Sequence, residues 1–134
     1  MPFIHVRHAG AAPDAGAVAI LQKGITALMA DVLGKTGPLV GVLVESVPAA
    51  GWSLGGEPVA RAAQVDAIIS AGSNTPDEKA RFIAETFRLL RSALGPDLSE
   101  VSYVVLHEVP KDSWGYGGLT QAHRAEHRLA EAGR

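Results

Sequence analysis

Trp52-Ser53-Leu54-Gly55-Gly56 returns 62 residues later as Trp114-Gly115-Tyr116-Gly117-Gly118, and an acid and a proline precede each copy: Glu45-Ser46-Val47-Pro48 in the first, Glu108-Val109-Pro110 in the second. A W-x-x-G-G ending repeated at this distance marks an internal duplication in a chain of 134 residues. Upstream of each ending lie a strand-like run and a helical segment at matching distances, with Ala12-Pro13-Asp14 corresponding to Thr75-Pro76-Asp77. The unit is therefore β-α-β followed by a glycine-rich hairpin. Residues 1–60 form the first repeat and 61–134 the second, with Glu57 to Gln64 as the join.

Thr75-Pro76-Asp77-Glu78 has the form of a capping box with proline at the first helical position, so a helix is predicted from there to about Leu94. Its apolar stripe is read as Ile83, Phe87, Leu90 and Leu94, with Arg81, Arg88 and Arg91 as solvated flanks. In the first repeat Val18, Leu21, Ile25, Leu28 or Met29, and Val32 make the matching stripe, and Gly34 is the stop. The runs 39–44 and 101–106 are β-branched and continuous enough for buried strands; further strands are expected near 2–8 and 66–71. The predicted fold is α+β, an α/β sandwich in which tandem β-α-β units give a four-stranded sheet with two helices on one face, plus short β-hairpins. The other sheet face is left over, which points to oligomerisation through sheet faces or edges.

The length fits a single domain. Twelve basic and 14 acidic residues without long runs of either sign leave no electrostatic footprint for nucleic acid or an anionic membrane. With no cysteine, disulfides, thiolate nucleophiles and Cys-type zinc sites are excluded. No signal-peptide or membrane-span pattern is present, so a soluble cytoplasmic protein is expected. Five histidines do not make a metal site: His5 and His8 point to opposite faces of a strand, and His123 and His127, four apart, lack a third ligand.

The chain opens Met1-Pro2-Phe3-Ile4-His5-Val6. Removal of Met1 would leave Pro2 as a secondary amine at the start of an apolar strand. Burial beside cations disfavours the charged form of such an amine, which makes it available as a free base at neutral pH. Glu45 and Glu108 are alternative acids, but their repeat-related positions suggest a structural role at the strand ends.

A leading Pro2, two β-α-β units of about 60 residues and the stretch Glu108-Val109-Pro110-Lys111-Asp112-Ser113-Trp114-Gly115-Tyr116-Gly117-Gly118 together resemble the tautomerase superfamily, the second copy most closely its 4-oxalocrotonate tautomerase group. As a fused pair of units the chain is similar in layout to cis-3-chloroacrylic acid dehalogenase and macrophage migration inhibitory factor. The resemblance implies a homotrimer with a cofactor-independent, metal-free active site at a subunit boundary around Pro2. It also implies that Trp114 and its counterpart Trp52 line an apolar pocket, and that Tyr103 and Lys35 contact substrate. Asn74 stands where 4-oxalocrotonate tautomerase has an arginine at the start of the helix, with Ala11 or Ala12 in the first copy. Tyr103 stands where that enzyme has a strand arginine, with Val40 in the first copy. Met29, Ala71 and Asn74 replace three dehalogenase positions, which disfavours hydrolytic dehalogenation.

The expected activity is keto-enol tautomerisation or isomerisation of a small 2-oxo or 2-hydroxy-unsaturated carboxylic acid, with Pro2 as general base and Lys35 or Arg7 as the carboxylate clamp. One clamp favours a monocarboxylate. Two alternatives stand beside this: a hydratase, dehalogenase or decarboxylase using cationic Pro2 as acid, and a binding or scaffold protein of the same fold.

Overall fold

The computed structural model describes residues 2–10 and 15–132. The expected helix start at Ala12-Pro13-Asp14, and Ala11 with it, lie outside the described residues. In chain order the elements are β1 (Phe3–Ala9), α1 (Ala15–Asp31), β2 (Gly41–Val47), β3 (Ser53–Leu54), β4 (Glu57–Pro58), β5 (Ala62–Ser70), α2 (Pro76–Leu94), β6 (Tyr103–Val109), β7 (Gly115–Tyr116), β8 (Leu119–Thr120) and α3 (Gln121–Ala132). The main sheet has the order β2-β1-β5-β6. Its outer pairs are parallel and its central pair, β1 with β5, is antiparallel.

Period-two patterning decides which face is covered. Ile4, Val6 and His8 of β1 and Ala63, Val65, Ala67 and Ile69 of β5 are buried beneath the helices. In α1 the buried positions are Leu21, Ile25 and Met29, as the sequence stripe requires. The α2 stripe is centred one residue earlier than expected: Phe82, Thr86, Leu90 and Leu94 are buried, whereas Ile83 is 41% exposed. At about 100° per residue a stripe three or four residues apart admits both frames, and only the packing against the sheet selects one.

The capping box at the start of α2 is present, with the Glu78 N–H donating to Thr75 Oγ1 at 3.1 Å and the Thr75 N–H to Glu78 Oε1 at 2.8 Å. Both Gly-Gly pairs form tight two-residue turns. Gly55 and Gly56 have φ of 60° and 82°, and Gly117 and Gly118 have φ of 61° and 82°, the left-handed conformation that a twisted hairpin favours.

Two boundaries differ from expectation. The join at 57–64 is largely structured, because Glu57 and Pro58 make β4 and β5 begins at Ala62, where pairing with Ala9 extends the central ladder. A third helix, α3, follows the second hairpin and has no counterpart after the first. The uncovered sheet face is mixed rather than uniformly apolar. Phe3, Leu43 and Tyr103 are 46%, 47% and 61% exposed there, beside the pairs His5–Glu45 at 3.1 Å and His107–Asp66 at 2.7 Å. Among the described residues no helix is long and apolar enough to cross a membrane.

Candidate active site

The central pairing relates the two repeats. Phe3 pairs with Ile68 and Val6 with Val65, so exchanging Phe3 with Val65 and Val6 with Ile68 leaves the ladder unchanged. Pro2 therefore corresponds to Gln64, whose nitrogen is an ordinary peptide N–H. Pro2 is buried at the head of β1, and its carbonyl accepts a hydrogen bond from the Gly41 N–H at 3.2 Å. The last residue of β5, Ser70, and the last of β6, Val109, reach this same end of the sheet.

Three loops converge there. The first is built by Gly34, which has a φ of 70° and whose N–H donates to the Ala30 carbonyl, so the chain turns out of α1 and presents Lys35. The second joins β5 to α2 through Ser70 and Ser73. The third follows β6 and contributes Lys111, whose carbonyl receives the Ala122 N–H at 3.0 Å; with the Gln121 N–H on the Trp114 carbonyl at 2.9 Å, this seats the start of α3. Together with Gln121 and Arg128 of α3 these loops enclose a cavity of about 290 Å³ lined by Gly34, Lys35, Thr36, Ser70, Ser73, Lys111, Gln121, Ala125 and Arg128. Among the described residues no carboxylate lines it. Neither Lys111 nor Arg128 has an ion-pair partner among the described residues.

Lys35 donates to Ser73 Oγ at 3.0 Å, and Ser73 donates on to the Ser70 carbonyl. Burial pulls the Lys35 amine below the ordinary lysine range; Glu78 opposes that shift and Lys111 adds to it. A cluster of three cations without a lining carboxylate attracts an anion and stabilises negative charge that develops on it.

The structure places the expected site residues in two groups. Pro2, Lys35, Asn74 and Trp114 belong to the cavity end of the sheet. Trp52, Tyr103 and Arg7 lie toward the opposite end, roughly 20 Å away for strands of this length. Asn74 is occupied, its amide donating to the Leu33 carbonyl at 2.9 Å, so it braces the loop that carries Lys35. Arg7 lies on the uncovered face, with Nε 4.0 Å from Glu45 Oε1, and is not a clamp beside Pro2 within this chain. Trp114 lines a second groove of about 310 Å³ with Asp112, Ser113 and Leu119. Its indole nitrogen is buried without a hydrogen-bond partner. Glu108 pairs with Lys79 at 3.2 Å and Glu45 with His5 at 3.1 Å, consistent with strand-end roles.

Sequence reasoning quotes Lys111 only as part of the second ending and does not name Arg128, so neither is among its expected substrate-binding residues. Both carry a signal in the repeat: each is an asymmetry. Where the second copy has Lys111, directly after Pro110, the first has Ala49, directly after Pro48. Arg128 belongs to the segment that only the second copy has. At the pseudo-equivalent end of the sheet Arg61 pairs with Asp97 at 3.0 Å and His8 is buried, its pKa lowered by burial and then by Arg61. Among the described residues no group of three or more His, Asp or Glu is placed to hold a metal ion.

Residues 2–62 match the Tautomerase family model, described as tautomerase enzyme. A crystal structure of native fused 4-OT (4-oxalocrotonate tautomerase) is 26% identical and superposes with a TM-score of 0.77 over 92% of this chain and 98% of that one. The first repeat matches the tautomerase family, and the whole chain has the tautomerase fold. A second fused 4-OT structure, an asymmetric trimer, is 25% identical with a TM-score of 0.78, covering 92% of this chain and 98% of the other. The macrophage migration inhibitory factor-like protein of Entamoeba histolytica shares this fold at 16% identity, with a TM-score of 0.74 over 89% of this chain and 97% of that one. No curated protein sequence matches. The family model covers the repeat that carries Pro2, and the cationic residues of the cavity come from both repeats.

Proposed function

We infer that the protein is a cofactor-independent keto-enol tautomerase or isomerase of a small 2-oxo or 2-hydroxy-unsaturated carboxylic acid, with the Pro2 amine as general base. The observation that carries this reading is the cation-lined cavity at the end of the sheet where β1 begins. Lys111 and Arg128 hold the substrate carboxylate, and Lys35, braced by Ser73, faces the enol oxygen. Pro2, freed of Met1 and kept neutral by burial and nearby cations, takes a proton from the enol hydroxyl or an acidic carbon and returns it to another carbon. A positioned base of this kind contributes about 10²-fold to 10⁴-fold. The cations stabilise the enolate charge that develops between the two transfers.

Two of the structures it resembles are trimers of fused 4-OT, and a homotrimer suits this chain. Trp52 and Tyr103, distant from Pro2 within one chain, would meet a Pro2 only across a subunit boundary. Absence of the helix arginine at Asn74 is offset by Lys111 and Arg128, so loss of the 4-OT-type clamp does not argue for a chemically inert scaffold.

The test combines three readouts on the whole protein. Intact mass should show Pro2 as the N-terminus. Nitrogen NMR should place its amine below the ordinary α-amino range of about 7.7–8.0. Pro2→Ala should lower kcat for ketonisation of a 2-hydroxy-2,4-dienoic acid by about 10²-fold or more, while Lys111→Met and Arg128→Met raise KM. Unchanged turnover in Pro2→Ala would overturn the reading. A protonated Pro2 at neutral pH would favour the acid-catalysed hydration or decarboxylation alternative.

A further inference from the structure

Tautomerisation by Pro2 uses one group of the cavity, Lys35, only as a partner of the enol oxygen, and the surroundings of that amine suit it to more. Lys35 is partly buried, is held at 3.0 Å by a neutral hydroxyl rather than by a carboxylate, and shares the cavity with two further cations, Lys111 and Arg128. A lysine that is partly buried next to another cationic group has its ammonium form disfavoured, which makes its amine more nucleophilic than that of an exposed lysine. The other two cations are suited to hold the carboxylate of a 2-oxo acid, which would set its carbonyl carbon beside the lysine.

We propose that Lys35 is a second reactive amine of the cavity, one that condenses with the carbonyl carbon of a bound 2-oxo acid to form an imine. The proposal rests on the reading of this cavity as a 2-oxo-acid site. In the condensation a bond forms between Lys35 Nζ and C2, the C2–O bond breaks, and the two amine protons leave with the oxygen as water; a proton from solvent converts the imine to its iminium form. Ser73, which accepts the Lys35 hydrogen bond and passes its own proton toward the Ser70 carbonyl, fixes the direction of the amine. The charged groups that act on Lys35 work in opposite senses: Glu78 at the head of α2 favours its ammonium form, while burial and Lys111 disfavour it. Lys111 is thus a positioning and tuning residue for the lysine as well as a carboxylate partner.

The chemistry is testable with pyruvate as probe and cyanoborohydride as trap, followed by peptide mass spectrometry. In the unaltered protein at pH 7 the reduced pyruvate adduct should concentrate on Lys35, several-fold above the exposed lysines Lys23 and Lys111. Lys111→Met should reduce Lys35 labelling at pH 7, and labelling should recover as pH approaches the ordinary lysine value of about 10.4. A purely carboxylate-binding Lys35 would be labelled at pH 7 no more than Lys23, whether or not Lys111 is present. Labelling spread evenly over the lysines, labelling confined to the Pro2 amine, or labelling indifferent to Lys111 would each overturn the proposal. Retained Pro2-dependent tautomerisation in the same preparation would separate that failure from failure of the tautomerase reading.

Discussion

At the scale of single residues, the duplication assigns opposite fates to equivalent positions. Ser70 ends β5 at the open cavity, and its counterpart His8 is buried at the pseudo-equivalent end of the sheet. Burial, and after it the Arg61 guanidinium, hold the His8 pKa below its ordinary value of 6.5. Because the unfolded chain then binds more protons than the folded one, the stability that neutral His8 contributes is complete above the unfolded value and is lost as pH falls below about 6.5 toward the folded value. Urea midpoints measured between pH 7.5 and pH 5 should therefore decline in the unaltered protein and decline less steeply in His8→Gln. The same physics explains what was legible. Pro2 was visible as a residue type with a chemical purpose, and Lys35 only through the resemblance to known tautomerases. Lys111 was hidden because a lysine in a polar loop looks the same whether it faces solvent or a cavity.

Among the elements, the two hairpins show how one motif serves two purposes. Their Gly-Gly turns are alike, and that part was readable because left-handed φ angles restrict the residue choice. The position after tryptophan is not alike: it is Ser53 in the first hairpin and Gly115 in the second. A Cβ on Gly115 would overlap the Leu119 carbonyl. Gly115→Ala should thus force β7 and β8 apart at a cost of about 1–3 kcal/mol. Because the Gln121 N–H rests on the Trp114 carbonyl, the change should also shift α3 and withdraw Arg128 from the cavity. The expected kinetic sign is a KM for the acid raised more than kcat is lowered. Ser53→Ala, in the other hairpin, should leave both near their starting values. The frame of α2 is an element-scale lesson of another kind. Phe82 and Ile83 are adjacent apolar residues, and helical periodicity admits either at the centre of the stripe; contact with β5 and β6 buries Phe82 and leaves Ile83 half in water.

For the whole molecule, the uncovered sheet face is the surface on which the proposed trimer is tested. It exposes Phe3, Leu43 and Tyr103 beside the hydrogen-bonded pairs His5–Glu45 and His107–Asp66. Burying it between copies would remove apolar area from water while each carboxylate keeps its hydrogen bond. Light scattering on the unaltered protein should give three chains per particle. Leu43→Asp, at the middle of β2, should dissociate the particle, and activity should fall with it if residues such as Tyr103 reach a neighbouring Pro2. Retained activity in a dissociated variant would mean that each chain completes its own site.

The sequence by itself determined the architecture: two β-α-β units, their hairpins, the capping box that starts α2, and a proline at position 2 that only one of the two units carries. These follow from local constraints, since period-two and period-3.6 patterning, caps and left-handed turns each restrict residue choice over a few positions. Tertiary structure alone decided the composition of the cavity. Lys35, Lys111 and Arg128 are separated by 76 and 17 residues along the chain and converge only because the antiparallel central pair brings the end of β5 to the head of β1, and because a helix outside the repeat closes over them. Tertiary structure likewise separated Trp52, Tyr103 and Arg7 from Pro2. Sequence distance carries no information about which end of a strand a side chain occupies until the register is known.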